Sequence, residues 1–149
     1  MKTAILGAGS FGSALSFVAA QNADDLWIWS HSQDVVHDIE QNRENSVYLP
    51  GIKLPDKLRA SHDLNKVLEN ADNIISVIPT QATREVWLRA KEFTPRNARI
   101  IVASKGIECN TNELLSEVMI HTLGNDFKEQ IFFLSGPSFA REIVEQRPT

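Results

Sequence analysis

The stretch Lys2-Thr3-Ala4-Ile5-Leu6-Gly7-Ala8-Gly9-Ser10-Phe11-Gly12 decides how the rest of the chain is read. A short apolar run leads straight into glycines, as a buried strand does before a tight turn. Gly7, Gly9 and Gly12 then fall at the spacing G-x-G-x-x-G, and a small-residue helical stretch follows. Each glycine has a separate task in a dinucleotide-binding turn. The first allows the turn, the second lets a pyrophosphate approach bare backbone, and the third lets helix and strand pack closely. The helix start then offers free N–H groups and a positive dipole end. A phosphate loop of the Walker type is excluded, because Ser13-Ala14 follows Gly12 where that motif needs Lys-Ser/Thr.

Outward from this turn, strand and helix patterns alternate. Strands are predicted over residues 2–6, 26–30, 58–61, 73–78, 99–103 and 131–134, and helices over 12–21, 33–43, 63–70, 82–93, 112–123 and 138–146. Residues 44–57, with Pro50, Gly51 and Pro55, read as a loop. The strands are continuously apolar, which signals burial on both faces. The expected fold is therefore α/β: a Rossmann-type, doubly wound, mainly parallel sheet with helices on both faces and right-handed crossovers. Residues 1–149 read as one dinucleotide-binding domain, and the absence of a closing strand signal at the end suggests a continuation beyond residue 149.

Composition narrows the setting. Of 149 residues, 42% are apolar and 23% charged, as in a globular protein. The net charge is -4 and no Lys/Arg cluster stands out, so a nucleic-acid partner is not expected. The lone Cys109 cannot form an internal disulfide or a Cys-rich metal site, and no metal is expected. With no N-x-Ser/Thr sequon either, a cytoplasmic location is the simplest expectation. The first 20 residues superficially resemble a secretory signal, but the spaced glycines argue against it. No membrane span is expected, since no run of ~18 apolar residues exists.

The second strand is the next check. An acid about 20 residues past the glycines would hold the ribose 2′-hydroxyl of NAD. Here Trp29-Ser30-His31 stands at that point, and Asp34 comes too late. Ser and His can donate to a 2′-phosphate that a carboxylate would repel. The expected cofactor is NADP or NAD, with the balance slightly toward NADP; His31 also reads as a plain surface residue at a helix start.

Ligands of open α/β sheets bind beyond the carboxyl ends of the strands. Lys105, in Ser104-Lys105-Gly106, stands there; it can hold a phosphate or polarise a carbonyl, or be a solvated loop lysine. Gly136-Pro137-Ser138 offers backbone N–H groups and a hydroxyl, or ordinary capping by Ser138. A hydrolase elbow at Gly136–Ala140 is the weaker alternative, because no Asp and His follow Ser138. His37, His62 and His121 lack metal-ligand spacing and read as surface residues, and Trp27 and Trp29 as packing.

Taken together, Gly-Ala-Gly-Ser-Phe-Gly at 7–12, Tyr48-Leu49-Pro50, Ser104-Lys105-Gly106-Ile107-Glu108 and Ser135-Gly-Pro-Ser-Phe-Ala140 with Glu142 resemble the bacterial-type glycerol-3-phosphate dehydrogenases, over the whole chain. One small departure is Ile78-Pro79-Thr80, where that family more often has Val-Pro-Ser. The resemblance implies hydride transfer between NAD(P)H and dihydroxyacetone phosphate, giving glycerol 3-phosphate for phospholipid synthesis. It implies that Gly7, Gly9, Ser10, Phe11, Gly12, His31, Lys105 and Ala140 serve the cofactor, and that Lys105, Gly136 and Ser138 face a small phosphate substrate. Lys105 is the one catalytic candidate; the main acid/base lysine is expected in a helical domain after residue 149. A homodimer is a further expectation for the longer protein. Another NAD(P)-dependent dehydrogenase, or a non-catalytic dinucleotide-sensing module, remains the alternative.

Overall fold

Six parallel strands share the centre of the molecule, and the computed structural model describes residues 1–136 and 138–147. The elements run β1 (Lys2–Leu6), α1 (Ser10–Ala20), β2 (Asp25–Trp29), α2 (Gln33–Asn42), β3 (Glu44–Asn45), β4 (Leu49–Lys53), β5 (Leu58–Ser61), α3 (Leu64–Leu68), β6 (Asn73–Ser76), α4 (Thr80–Ala90), β7 (Arg99–Val102), α5 (Leu115–Leu123), β8 (Ile131–Phe133) and α6 (Ala140–Val144). The main sheet has the order β5-β2-β1-β6-β7-β8, and every pairing in it is parallel. The chain winds outward from β1 through β2 to β5, then returns to lay β6 against the other side of β1. That reversal makes the carboxyl ends of β1 and β6 the topological switch point, where open α/β sheets bind ligands.

Successive residues of a strand point to opposite faces, so a strand buried on both sides feeds two cores. In β1, Ala4 and Leu6 join one apolar cluster and Ile5 the other. In β2, Trp27 and Trp29 face the first cluster, Leu26 and Ile28 the second. The first is covered by α3, α4 and α5, through Val67, Trp87 and Met119 among others. The second is covered by α2, through Val35 and Ile39, and by α1, whose Phe17 packs against it. Helices on both faces of a parallel sheet are thus present as the alternating pattern required.

Several segments depart from the sequence reading. Residues 44–57 are not simply a loop, because β3 and β4 pair antiparallel as a small separate hairpin with an irregular register. Pro50 and Gly51 hide it: Pro50 is tolerated on a two-stranded edge, and Gly51 takes φ +76°. Helix α5 begins at Leu115 rather than at 112, because Asn112 adopts a left-handed φ of +59° and closes a loop instead. Helix α6 is confined to Ala140–Val144, and its N-cap is Phe139 with no side-chain capping bond. Ser138 therefore does not cap it. Helix α1, by contrast, starts two residues early and takes Ser10 and Phe11 into its first turn. Trp27 and Trp29 are buried, and His37, His62 and His121 are exposed, as expected. Pro137, Pro148 and Thr149 lie outside the described residues.

Candidate functional site

The turn after β1 is shaped by exclusion. Gly7 has φ +115°, and a Cβ there would stand 2.7 Å from the carbonyl oxygen of Val77, which follows β6. A Cβ on Gly12 would lie 1.9 Å from the oxygen of Gly7, so helix and turn could not close on each other. Gly9 differs: a Cβ there would meet nothing within 4 Å. It is the N-cap of α1 and supplies no side chain to cap the helix. The first turn of an α-helix has N–H groups without intrahelical partners, and the dipole makes that end attractive to anions. A bare backbone surface beside such a helix end fits a diphosphate.

The hairpin is tied to this turn. The buried Asn45 amide donates to Ala8 O and Ser13 Oγ, both at 2.8 Å, and accepts from Tyr48 N–H. Ser10 Oγ donates to the Tyr48 carbonyl. Asn45 left no trace in the sequence pattern, because its role depends on a long-range contact between two irregular segments.

A cavity of about 410 Å³ opens from the glycine turn toward the end of β2. Gly7, Gly9, Trp29, His31, Tyr48 and Pro79 line it, and Glu85 and Arg89 of α4 stand at it too. His31 is exposed. Ser30 is buried, and its Oγ accepts from Ser32 N–H, which makes it a turn residue. Of the two residues expected at this point, His31 is the one that presents its side chain freely. Glu85 and Arg89 gave no signal in the sequence; only the packing of α4 beside the switch point brings them here.

A second cavity, of about 400 Å³, lies over the ends of β6 and β7. Ser10, Phe11, Thr80, Lys105, Ser138 and Ala140 all line it. A further recess shares Phe11, Lys105 and Ser138 and adds Gly136. Lys105 is exposed, and its Nζ donates to the Gly136 carbonyl. Residues separated by most of the chain thus meet at one sheet edge, next to the glycine turn. Gly12 is the only sequence-predicted residue that lines neither of these two cavities nor the recess; it acts in the packing of α1 instead. Among the described residues no cluster of His, Cys, Asp and Glu could hold a metal, and no helix is long and apolar enough to cross a membrane.

This sheet order, with side-chain-free backbone and an uncapped helix at the switch point, defines a dinucleotide-binding type of Rossmann domain. A family model described as the N-terminus of NAD-dependent glycerol-3-phosphate dehydrogenase matches residues 2–149, and the chain belongs to that family. It is 40% identical over 149 residues to a glycerol-3-phosphate dehydrogenase [NAD(P)+] of Leptospira biflexa, covering 100% of this chain and 45% of that relative. It is 41% identical over 148 residues to the Bacillus licheniformis protein of the same name, covering 99% of this chain and 43% of that one. The crystal structure of glycerol-3-phosphate dehydrogenase from Coxiella burnetii superposes with a TM-score of 0.88 at 36% identity, over 99% of this chain and 44% of that one. The chain spans less than half the length of the relatives it matches.

Proposed function

We propose that this chain is the cofactor-binding part of an oxidoreductase that moves a hydride between NAD(P)H and dihydroxyacetone phosphate, yielding glycerol 3-phosphate for glycerophospholipid synthesis. The observation that carries the reading is the convergence of Ser10, Phe11, Lys105, Ser138 and Ala140 on one cavity beside the glycine turn.

Gly7, Gly9 and the first turn of α1 would hold the diphosphate of the cofactor, and His31 would meet the adenosine ribose or its 2′-phosphate. Phe11 and Ala140 would wall the reacting end. The nicotinamide ring supplies or accepts the hydride when bound. Lys105 then has two uses: its ammonium attracts the substrate phosphate, and it stabilises negative charge developing on the carbonyl oxygen. Gly136 and Ser138 would border the substrate. The proton that completes the reaction is assigned to a lysine in a helical domain beyond residue 149. The choice between cofactors leans to NADP, because Ser30 and His31 rather than an acid follow β2 at the cavity.

A cytoplasmic location agrees with the one exposed, unpaired Cys109. A homodimer rests on the resemblance alone, and the mass of the longer protein in solution checks it. The functional test is oxidation of NADH and NADPH by the longer protein with dihydroxyacetone phosphate, for the wild type and K105M. Turnover that falls by about a hundredfold or more in K105M supports the reading. Turnover that survives K105M removes Lys105 from the reaction, and no wild-type turnover with either cofactor overturns the reading.

A further inference from the structure

Helix α4 starts directly after Pro79, and its first residues reach across to the segment that follows β7. Thr80 Oγ1 donates to the carbonyl of Lys105 itself at 2.7 Å. Gln81 grips the segment twice: Nε2 donates to Ile107 O at 2.9 Å, and Oε1 accepts from Cys109 N–H at 2.8 Å. One turn on, Arg84 donates through Nε to Glu108 Oε1 at 3.0 Å and through Nη2 to Glu108 Oε2 at 2.7 Å. The same Nη2 reaches Glu113 at 2.6 Å.

The segment also closes on itself. Glu108 N–H donates to Glu113 O at 2.9 Å, Asn112 N–H to Glu108 O at 2.8 Å, and Ile107 bridges Leu114. Thr111 Oγ1 donates to the Glu108 carboxylate. Within this otherwise exposed loop Glu108 is only 4% exposed. A buried carboxylate is costly unless it is paired and hydrogen-bonded, so the folded form of the loop depends on Arg84. Lys105 sits on the open side, and Gly106 beside it takes φ +128°, a conformation that does not hold itself in place. A Cβ at Gly106 would lie 3.2 Å from Thr80 Oγ1.

We infer that Thr80, Gln81 and Arg84, with Glu108 as the buried counter-charge, are positioning residues that fix the backbone of Lys105 at the mouth of the substrate cavity. The role of Lys105 in this inference rests on the functional reading above. The same helix lines the cavity at the glycine turn through Ala82, Glu85, Val86 and Arg89. One rigid element therefore sets the distance between the cofactor end of the site and the lysine. Small displacements of such a group cost large factors in rate.

The test uses the longer protein with T80V, T80S and E108Q, and reads amide exchange, kinetics and cofactor affinity. T80V and E108Q are expected to speed exchange of the amides of residues 105–114 and to lower kcat about tenfold, with the NADH dissociation constant within about twofold. T80S keeps the hydroxyl and is expected to behave as wild type. Unchanged exchange in both T80V and E108Q overturns the inference, as does a loosened loop with unchanged kcat. A parallel loss of NADH affinity marks general damage and also overturns a positioning role. A wild-type protein without turnover overturns the functional reading instead, and the exchange measurement still decides whether α4 holds the loop.

Discussion

A Cβ on Gly12 would stand 1.9 Å from the carbonyl oxygen of Gly7, so these two glycines exist to let a helix and a turn touch. Gly9 lies between them, and a Cβ there would meet nothing within 4 Å. The motif therefore contains two kinds of glycine, one kept bare for packing and one kept bare for something outside the protein.

The two kinds separate on substitution. G12A forces backbone apart in a close-packed site and is expected to cost on the order of 1–3 kcal/mol or more. G9A replaces one N-cap by a poorer one and is expected to cost no more than about 1 kcal/mol. Urea unfolding midpoints of both variants check the contrast.

Placing an acid at the end of β2 is expected to change cofactor choice. H31E puts a carboxylate where a 2′-phosphate would lie and where a ribose 2′-hydroxyl could be bound. The ratio of NADPH to NADH affinity is expected to fall by about tenfold or more, from like-charge repulsion and a gained hydrogen bond. Parallel titrations with the two cofactors measure it; an unchanged ratio would move the discriminating contact elsewhere, Arg89 being next in line.

Acid is expected to loosen the loop that carries Lys105. The Arg84 guanidinium holds the Glu108 carboxyl below its ordinary value of 4.5 and, with help from His121, does the same for Glu113. A carboxyl whose folded value is depressed contributes stability above its unfolded value, and that stability is lost as pH falls through the folded one. Stability is thus expected to decline below about pH 4.5. The decline is expected to be shallower in R84Q, because the largest contribution that lowers both carboxyls is removed. Unfolding midpoints across that range, for both proteins, give the comparison.

In the core, Trp87 Nε1 donates to Ser76 Oγ at 3.0 Å, and both residues are fully buried. W87F leaves a buried hydroxyl without that donor and is expected to cost about 1–3 kcal/mol. Removing both groups in S76A/W87F is expected to cost less than the sum of the single changes, because the stranded polar atom is gone. Additive costs would mean that the bond contributes nothing beyond packing.

The parallel sheet was readable because continuous apolar strands between helical periods leave few other architectures, and the glycine turn marked β1 and α1 directly. Lys105, Gly136 and Ser138 were readable as strand-end residues, since that rule needs only strand positions. The hairpin of β3 and β4 was not, because Pro50 and Gly51 give the same local signal in a loop and on an exposed edge. Asn45 and Arg84 were invisible for another reason: each acts through a partner far away in sequence, and no local periodicity records it. Thr80 and Gln81 stood at a strand end, but their bonds to the segment after β7 were hidden in the same way. Glu108 stood in a recognisable motif, but only its burial and its bond to Arg84 explain why an acid belongs there.

The measurement closest to the centre of this account is a fluorescence titration of the wild type and G9A with NADPH and NADH. Binding of at least one cofactor to the wild type, weakened by about tenfold or more in a G9A variant that remains folded, is the predicted result, because the methyl group would occupy the open face of the helix start. Equal affinity in the two proteins, or no binding by the folded wild type, would contradict a dinucleotide site at Gly7, Gly9 and the first turn of α1.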